Sequence, residues 1–331
     1  MKRRSHTLLI GLAAGVGGVL LVSGAAQAQC VTFDPVVLSG TFDPFNPSGT
    51  TVQTLSITAR RPPAVGGKKT QEVNFIYLRR PDTPSSLTII QTSTGGQILE
   101  NPPGHVLDPN NVNPNEVELN FGGVGQPDVK TFMVTITVPS GADLPAGTTD
   151  LFLDQKYYCK RTGGAADEQG VISNSLDIRI NVLSALQASF VGPALDFGEI
   201  GTLTTASLPS TPNSVKQRTG NVRVASSGPY SVALTSANQF RMTYAGGNLG
   251  TTNQRIPYQL DFLGQSKTTA SPTFNTVTCA RAGLSGQYLA VTPTLLEGGA
   301  GKVPSPNYQD ILTVTVTPLA VPTATTPVAC M

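Results

Sequence analysis

Leu176-Asp177-Ile178-Arg179-Ile180-Asn181-Val182 sends four aliphatic side chains to one side and Asp, Arg and Asn to the other. Successive side chains of a strand point to opposite faces, so this stretch predicts a half-buried β-strand. Phe132-Met133-Val134-Thr135-Ile136-Thr137-Val138 alternates in the same way, and so does the run from Leu312 to Thr317. Further strands are expected at Thr51–Thr58, Glu72–Leu78, Ser86–Gln91, Asp150–Tyr157, Gly220–Ala225, Tyr230–Thr235, Ile256–Phe262 and Gln287–Thr292. They are short, and clusters of Gly, Pro, Asn and Asp separate them. No long helical heptad intervenes. The expected class is all-β, with many turns and two immunoglobulin-like sandwiches.

The first 28 residues read as a secretory signal. Lys2, Arg3 and Arg4 form its basic end, Leu8 to Val22 its apolar stretch and Ala26-Gln27-Ala28 its cleavage site. The apolar run is shorter than the roughly 20 residues that a membrane helix needs. Cleavage leaves 303 residues carrying nineteen basic and twenty acidic side chains, a net charge of −1. No basic stripe is present to neutralise phosphates, which argues against a nucleic-acid partner. Export implies an oxidising compartment in which cysteines pair. We place a first domain at residues 29–185 and a second at 186–331, with the boundary just after the Leu176–Val182 strand. The halves look like a diverged repeat. Val52–Ala59 echoes Val222–Ala225, and the segment leading into Leu151 echoes the one leading into Ile311, at offsets near 160.

The second half resembles the spore coat protein U domain, the pilin module of archaic chaperone–usher pili. The resemblance rests on Leu195-Asp196-Phe197-Gly198, Gly220-Asn221-Val222-Arg223-Val224, Gly228-Pro229-Tyr230-Ser231-Val232-Ala233-Leu234, Arg241-Met242, Ile256-Pro257-Tyr258-Gln259-Leu260 and Tyr308-Gln309-Asp310-Ile311-Leu312-Thr313-Val314. These pieces are collinear over some 120 residues. The marker residues are Leu195, Phe197, Gly198, Tyr258, Tyr308 and Asp310. The first half matches more thinly, through Cys30, Phe42-Asp43-Pro44 and Pro145–Leu151. Where the family often has cysteines, this chain has Ala188/Ser189 and Ala225.

The resemblance implies a pilin-like second domain that lacks its last strand and exposes an apolar groove. Its expected partners are a periplasmic chaperone, an outer-membrane usher and a neighbouring subunit that donates a β-strand. A whole domain precedes the pilin-like one, and Gln29-Cys30 leaves nothing free to donate, so the chain is expected at the fibre tip as an adhesin. The destination is the cell surface, reached through the periplasm. The Leu176–Val182 strand is read as closing the first sandwich in cis, with donation to another subunit as the alternative. Four cysteines allow three pairings. Cys30–Cys159 and Cys279–Cys330 is favoured, one bridge per domain, and a cross-domain bond of Cys330 is the alternative. Attachment to an abiotic or host surface is expected through apolar loops, with Ala64 and Val65, Val106 and Leu107, and Leu144 as candidates.

Catalysis finds little support. His6 leaves with the signal, and a lone His105 in a Pro/Asn loop cannot form a triad without an acid and a nucleophile. No CxxC or His/Cys spacing suggests a metal. Glu116/Glu118 and Asp167/Glu168 are paired carboxylates that are best read as solvated charges. Asp108–Asn113 lacks the ligand spacing of a calcium loop. No cofactor is expected. A secreted carbohydrate-binding or hydrolytic sandwich, or a non-tip pilus subunit, is the competing reading.

Overall fold

The computed structural model describes residues 30–46, 51–84, 86–100, 106–107, 115–123, 125–162, 167–209, 215–321 and 326–330. The signal sequence, His105, the Pro102-Pro103 pair and the Asp108–Asn113 run lie outside the described residues.

The first domain contains β1 (Thr32–Phe33), β2 (Val36–Phe42), β3 (Thr51–Arg60), β4 (Thr70–Leu78), β5 (Thr88–Gln91), β6 (Leu99–Glu100), β7 (Val117–Asn120), β8 (Val129–Val138), β9 (Gly147–Arg161) and β10 (Glu168–Val182). One sheet has the order β1-β3-β8-β5. The facing sheet has the order β2-β10-β9-β4-β6, with β7 also on β4. The alternation seen in the sequence sets the inward faces. Phe132, Val134, Ile136 and Val138 of β8 are buried, and Leu151, Leu153, Tyr157 and Cys159 of β9 meet them across the sandwich. Phe75 is the aromatic centre, edge-on to Phe33 at 5.0 Å and to Phe132 and Tyr77 at 5.5 Å.

The second domain contains β11 (Leu186–Val191), β12 (Gly220–Ser226), β13 (Tyr230–Ser236), β14 (Arg241–Thr243), β15 (Arg255–Phe262), β16 (Gln265–Lys267), β17 (Val277–Cys279), β18 (Gly283–Leu295) and β19 (Leu312–Pro318). Its sheets are β11-β12-β18-β15-β14, with β16 on β15, and β17-β13-β19. The fold is therefore all-β and sandwich-like throughout. The strand expectations hold in position, and most strands extend one or more residues beyond the predicted ends. The strands missed in the sequence were β2, β7 and β11 and the short edge pieces, where Gly, Ser and polar residues blur the alternation.

Two hydrophobic cores form, one from residues 30–182 and one from residues beginning near Leu186. The chain passes between them at Leu183–Ala185. Ser227, which is fully buried, holds this crossing. Its hydroxyl donates to the Leu183 carbonyl at 2.7 Å and accepts from the Ala185 N–H at 2.9 Å. The Ser227 carbonyl accepts from the Ala146 N–H at 2.7 Å, and Arg281 pairs with Asp143 across the junction. Gly228 leaves room for this approach: a Cβ there would stand 2.7 Å from Ser184 Oγ and 2.9 Å from Ala146 Cβ. Leu144 belongs to this junction and is only 4% exposed. It was expected on an exposed attachment loop. The correction has a simple cause: the side chain folds back into the first domain's own core, in the cluster that also holds Val138 and Ala142.

Cys30 is bonded to Cys159 and Cys279 to Cys330. Both bridges lie within a domain.

Candidate functional site

The two domains can be compared strand for strand. The order β1-β3-β8-β5 in the first matches β11-β12-β18-β15 in the second, and β9-β4 matches β19-β13. The echoes in the sequence fall on equivalent strands: Val52–Ala59 on β3 and Val222–Ala225 on β12, with the approaches to β9 and to β19. One strand breaks the equivalence. In the first domain β10 lies on the outer edge of β9, antiparallel to it, and pairs in parallel with β2 on its other side. In the second domain β19 pairs with β13, β11 pairs with β12, and no strand among the described residues joins their free edges.

Burial follows from that difference. Leu176, Ile178, Ile180 and Val182 of β10 are almost wholly buried in the first core. They cover the inward row of β9. In β19 the corresponding row, Leu312, Val314 and Val316, is only partly buried. On the opposite wall Phe190 of β11 is 50% exposed. Between the walls lies a cavity of about 800 Å³. Val222, Met242, Ile256 and Val291 contribute to its apolar lining. The tail after β19 runs elsewhere: Val328 pairs in parallel with Cys279 on β17, at the far edge of that sheet, where the Cys279–Cys330 bond holds it.

All six marker residues line this cavity. Leu195, Phe197 and Gly198 close one end. Gly198 adopts φ 72°, a left-handed turn favouring glycine, and its N–H donates to Asp196 Oδ1 at 2.8 Å. Asp310 ties the start of β19 to its neighbours. It accepts from Ser236 Oγ at 2.6 Å, from the Tyr258 hydroxyl at 2.5 Å and from the N–H groups of Asn238 and Ile311 at 3.0 and 2.7 Å. Burial, and secondarily the Asp310 carboxylate, push the Tyr258 hydroxyl far above the ordinary tyrosine range, so it stays a donor. The Tyr308 hydroxyl donates to the Val303 carbonyl at 2.8 Å, and its ring meets that of Tyr244 edge-on at 5.5 Å. These polar groups are satisfied among themselves and hold the groove's rim. Among the described residues the arrangement leaves one edge of β11 and one edge of β19 unpaired beside the apolar lining.

The loop candidates separate. β9 begins at Gly147, beside Val321 of the second domain, and fourteen residues later its last residue, Arg161, pairs with Thr70. At about 3.3 Å per residue that is some 45 Å, which sets the 61–69 loop at the far end of the molecule. Ala64 is exposed there and Val65 is 78% exposed, on a tight turn in which Val65 and Lys68 exchange backbone hydrogen bonds at 3.1 Å. Val106 is 78% exposed and Leu107 partly buried, on a different loop. The root of the 61–69 loop is fixed by Arg61, whose side chain is fully buried. Its guanidinium pairs with Asp128 at 2.9 Å, donates to the carbonyls of Thr70, Gly122, Gly123 and Gln126, and lies 5.4 Å from the Phe121 ring. Every donor direction of the fork is used, which is what a buried arginine requires. Sequence reasoning passed over Arg61; an arginine beside Arg60 and before two prolines gives no signal of burial.

Of the Glu116/Glu118 pair, expected as solvated charges, Glu118 is exposed but Glu116 is only 3% exposed, beside the buried Val117 at the start of β7. Asp167 accepts from the Tyr158 hydroxyl at 2.5 Å and Glu168 from the Tyr157 hydroxyl at 2.9 Å. Burial first, then Glu168, push Tyr157 up to about 12. Among the described residues no group of His, Cys, Asp and Glu could hold a metal.

No family model matches the chain, and no curated protein does. Solved structures that it resembles include the CupB6 tip adhesin of Pseudomonas aeruginosa (11% identity, 86% of this chain and 94% of that one, TM-score 0.28). The CfaE adhesin of enterotoxigenic Escherichia coli CFA/I fimbriae is a second (10%, 88% and 94%, TM-score 0.36). A chaperone–tip adhesin complex of CFA/I fimbriae is a third (11%, 83% and 77%, TM-score 0.31).

Proposed function

We propose that this chain is an exported subunit of a chaperone–usher pilus, and its tip adhesin. The second domain accepts a β-strand from another polypeptide, first from a periplasmic chaperone and then, at the outer-membrane usher, from the neighbouring subunit. The observation that carries the reading is the open groove between β11 and β19, at the position that β10 fills in the first domain. Unpaired edges beside exposed apolar rows are an aggregation liability unless another strand covers them. The tip position is supported by β10. Its apolar face is buried in its own domain, so the strand ahead of the pilin-like domain is not free to donate. The first domain then serves attachment to an abiotic or host surface, with Ala64, Val65, Val106 and Leu107 at its exposed loops.

The test is expression of the full chain in the periplasm with and without a chaperone of this class. Alone, the chain is expected to aggregate. With the chaperone it is expected as a soluble one-to-one complex, in which amides on the free edge of β19 become protected from exchange. A soluble monomer with those amides already protected would overturn the proposal.

A further inference from the structure

The sheet that forms one wall of the groove, β17-β13-β19, has two edges. One is β19, which borders the groove. The other is β17, three residues long, which among the described strands pairs only with β13. Strand capture draws its affinity from main-chain hydrogen bonds, and any open edge offers these whatever its sequence. A device that keeps the incoming strand off β17 is therefore needed. Residues 326–330 lie along that edge. The Val328 N–H donates to the Thr278 carbonyl at 3.0 Å, and the Ala280 N–H donates to the Val328 carbonyl at 2.7 Å. Together they make a parallel bridge centred on Cys279. Two residues further on, Cys330 is bonded to Cys279. Cys279 is fully buried and Cys330 is 5% exposed, and both belong to the second core. Val328 and Ala329 are exposed, so what the segment contributes, Cys330 apart, is backbone pairing.

We propose that this segment is an edge guard that confines strand capture to the groove. The proposal rests on the strand-capture reading above and names what directs the captured strand to that site. Two features suit the segment to this role. The first is covalent. Backbone hydrogen bonds are individually weak in water, and a foreign strand of many residues offers more of them than Val328 does. The Cys279–Cys330 bond makes the segment's own contact intramolecular, so it holds the edge against a competitor that must arrive from solution. The second feature is Pro327. In a strand the N–H and C=O of one residue point to the same side, and those of its neighbours point to the other. Val328 spends both groups on β17, so positions 327 and 329 present theirs outward. Pro327 has no N–H to offer there, which makes the guard itself a poor template for a further strand. The β19 edge, by contrast, runs seven residues beside the groove with no such cover among the described residues.

The experiment co-expresses the full chain with a chaperone of this class in the periplasm and weighs the purified complexes by native mass spectrometry and light scattering. Wild type should carry one chaperone per chain. Val328→Pro removes the donor to Thr278 and keeps the disulfide, whereas Cys279→Ser/Cys330→Ser releases the segment altogether. Each should raise the average mass at least about twofold, through a second chaperone or through chain-to-chain pairing at β17. Ala320→Pro, in the same tail but outside the paired segment, should stay one-to-one. Adding Ala280→Pro to Val328→Pro strips the β17 edge of an outward N–H and should restore the one-to-one mass. One-to-one complexes from both released variants would overturn the guard while groove capture stands. So would association, soluble or as aggregate, that Ala280→Pro leaves intact. If wild type is instead a soluble monomer that binds no chaperone, capture at the groove fails, and the same variants still decide the guard. Association of the released monomers that Ala280→Pro reverses would sustain it, and monodisperse released monomers would sink it.

Discussion

Val314 and Thr315 are neighbours on β19 with opposite fates if a strand fills the groove. Val314 stands opposite Leu234 on the inward row, and Thr315 stands opposite Ala233 and is exposed on the outer face. In the free chain a lysine at 314 can extend its amine through the open groove to water while its stem covers apolar surface, so Val314→Lys should cost no more than about 1 kcal/mol. Once a foreign strand covers that row, the amine is trapped without a partner. An uncompensated buried ammonium costs several kcal/mol, so a cost of about 4 kcal/mol weakens strand capture about a thousandfold. Thr315→Lys adds the same charge one residue away on the solvent face and should change capture less than about threefold. The assay competes each variant against wild type for a limiting chaperone during periplasmic co-expression and reads the ratio captured in the soluble complex. Equal weakening by the two variants, or capture by Val314→Lys at wild-type affinity, would refute the claim that β19 meets the incoming strand through its inward row.

Other consequences follow from the first domain. Arg61→Met strands the carbonyls of Thr70, Gly122, Gly123 and Gln126, and should cost about 3–5 kcal/mol in urea melts; a loss below about 1 kcal/mol would contradict the network's role. Gln155 is completely buried on the inward row of β9, and neither amide atom has a hydrogen-bond partner. Gln155→Leu should therefore raise stability by about 1–3 kcal/mol, and a lowered melting temperature would imply a partner for that amide. The Cys30–Cys159 and Cys279–Cys330 bonds span 129 and 51 residues. Chain entropy assigns them about 5 and about 4 kcal/mol, so the Cys30→Ser/Cys159→Ser pair should melt lower than the Cys279→Ser/Cys330→Ser pair. Hydrogen bonds from Lys69, then from Arg61, hold the Asp128 carboxyl below the ordinary aspartate range. A carboxyl lowered on folding stabilises above its unfolded value, and that contribution is lost as pH falls through its folded value. The gap in melting temperature between wild type and Asp128→Asn should therefore be full at neutral pH and close below about pH 4. A gap that is constant from pH 7 to 2 would sink that account.

Much of the architecture was legible from residue order alone. A period of two marks strands and their buried faces, which is why β3, β4, β8, β9, β12, β13, β15, β18 and β19 stand close to where alternation put them. The six residues singled out by resemblance converge on one cavity. The sequence could not say which partner each apolar face meets. Alternation in Leu176–Val182 is identical for a strand that closes its own sandwich and for one offered to another subunit, because side-chain period reports faces and carries no information on neighbours. Pairing with β9 and β2 decided it, and that depends on residues far away in the chain. The same limit hid Leu144, whose loop is apolar in either setting but whose side chain is buried in the first core. It hid Arg61 as well, whose burial needs the carbonyls of Gly122, Gly123 and Gln126, more than sixty residues away. Local physics therefore fixed the strands and their faces in this protein, while long-range packing alone decided that the first sandwich is closed and the second open.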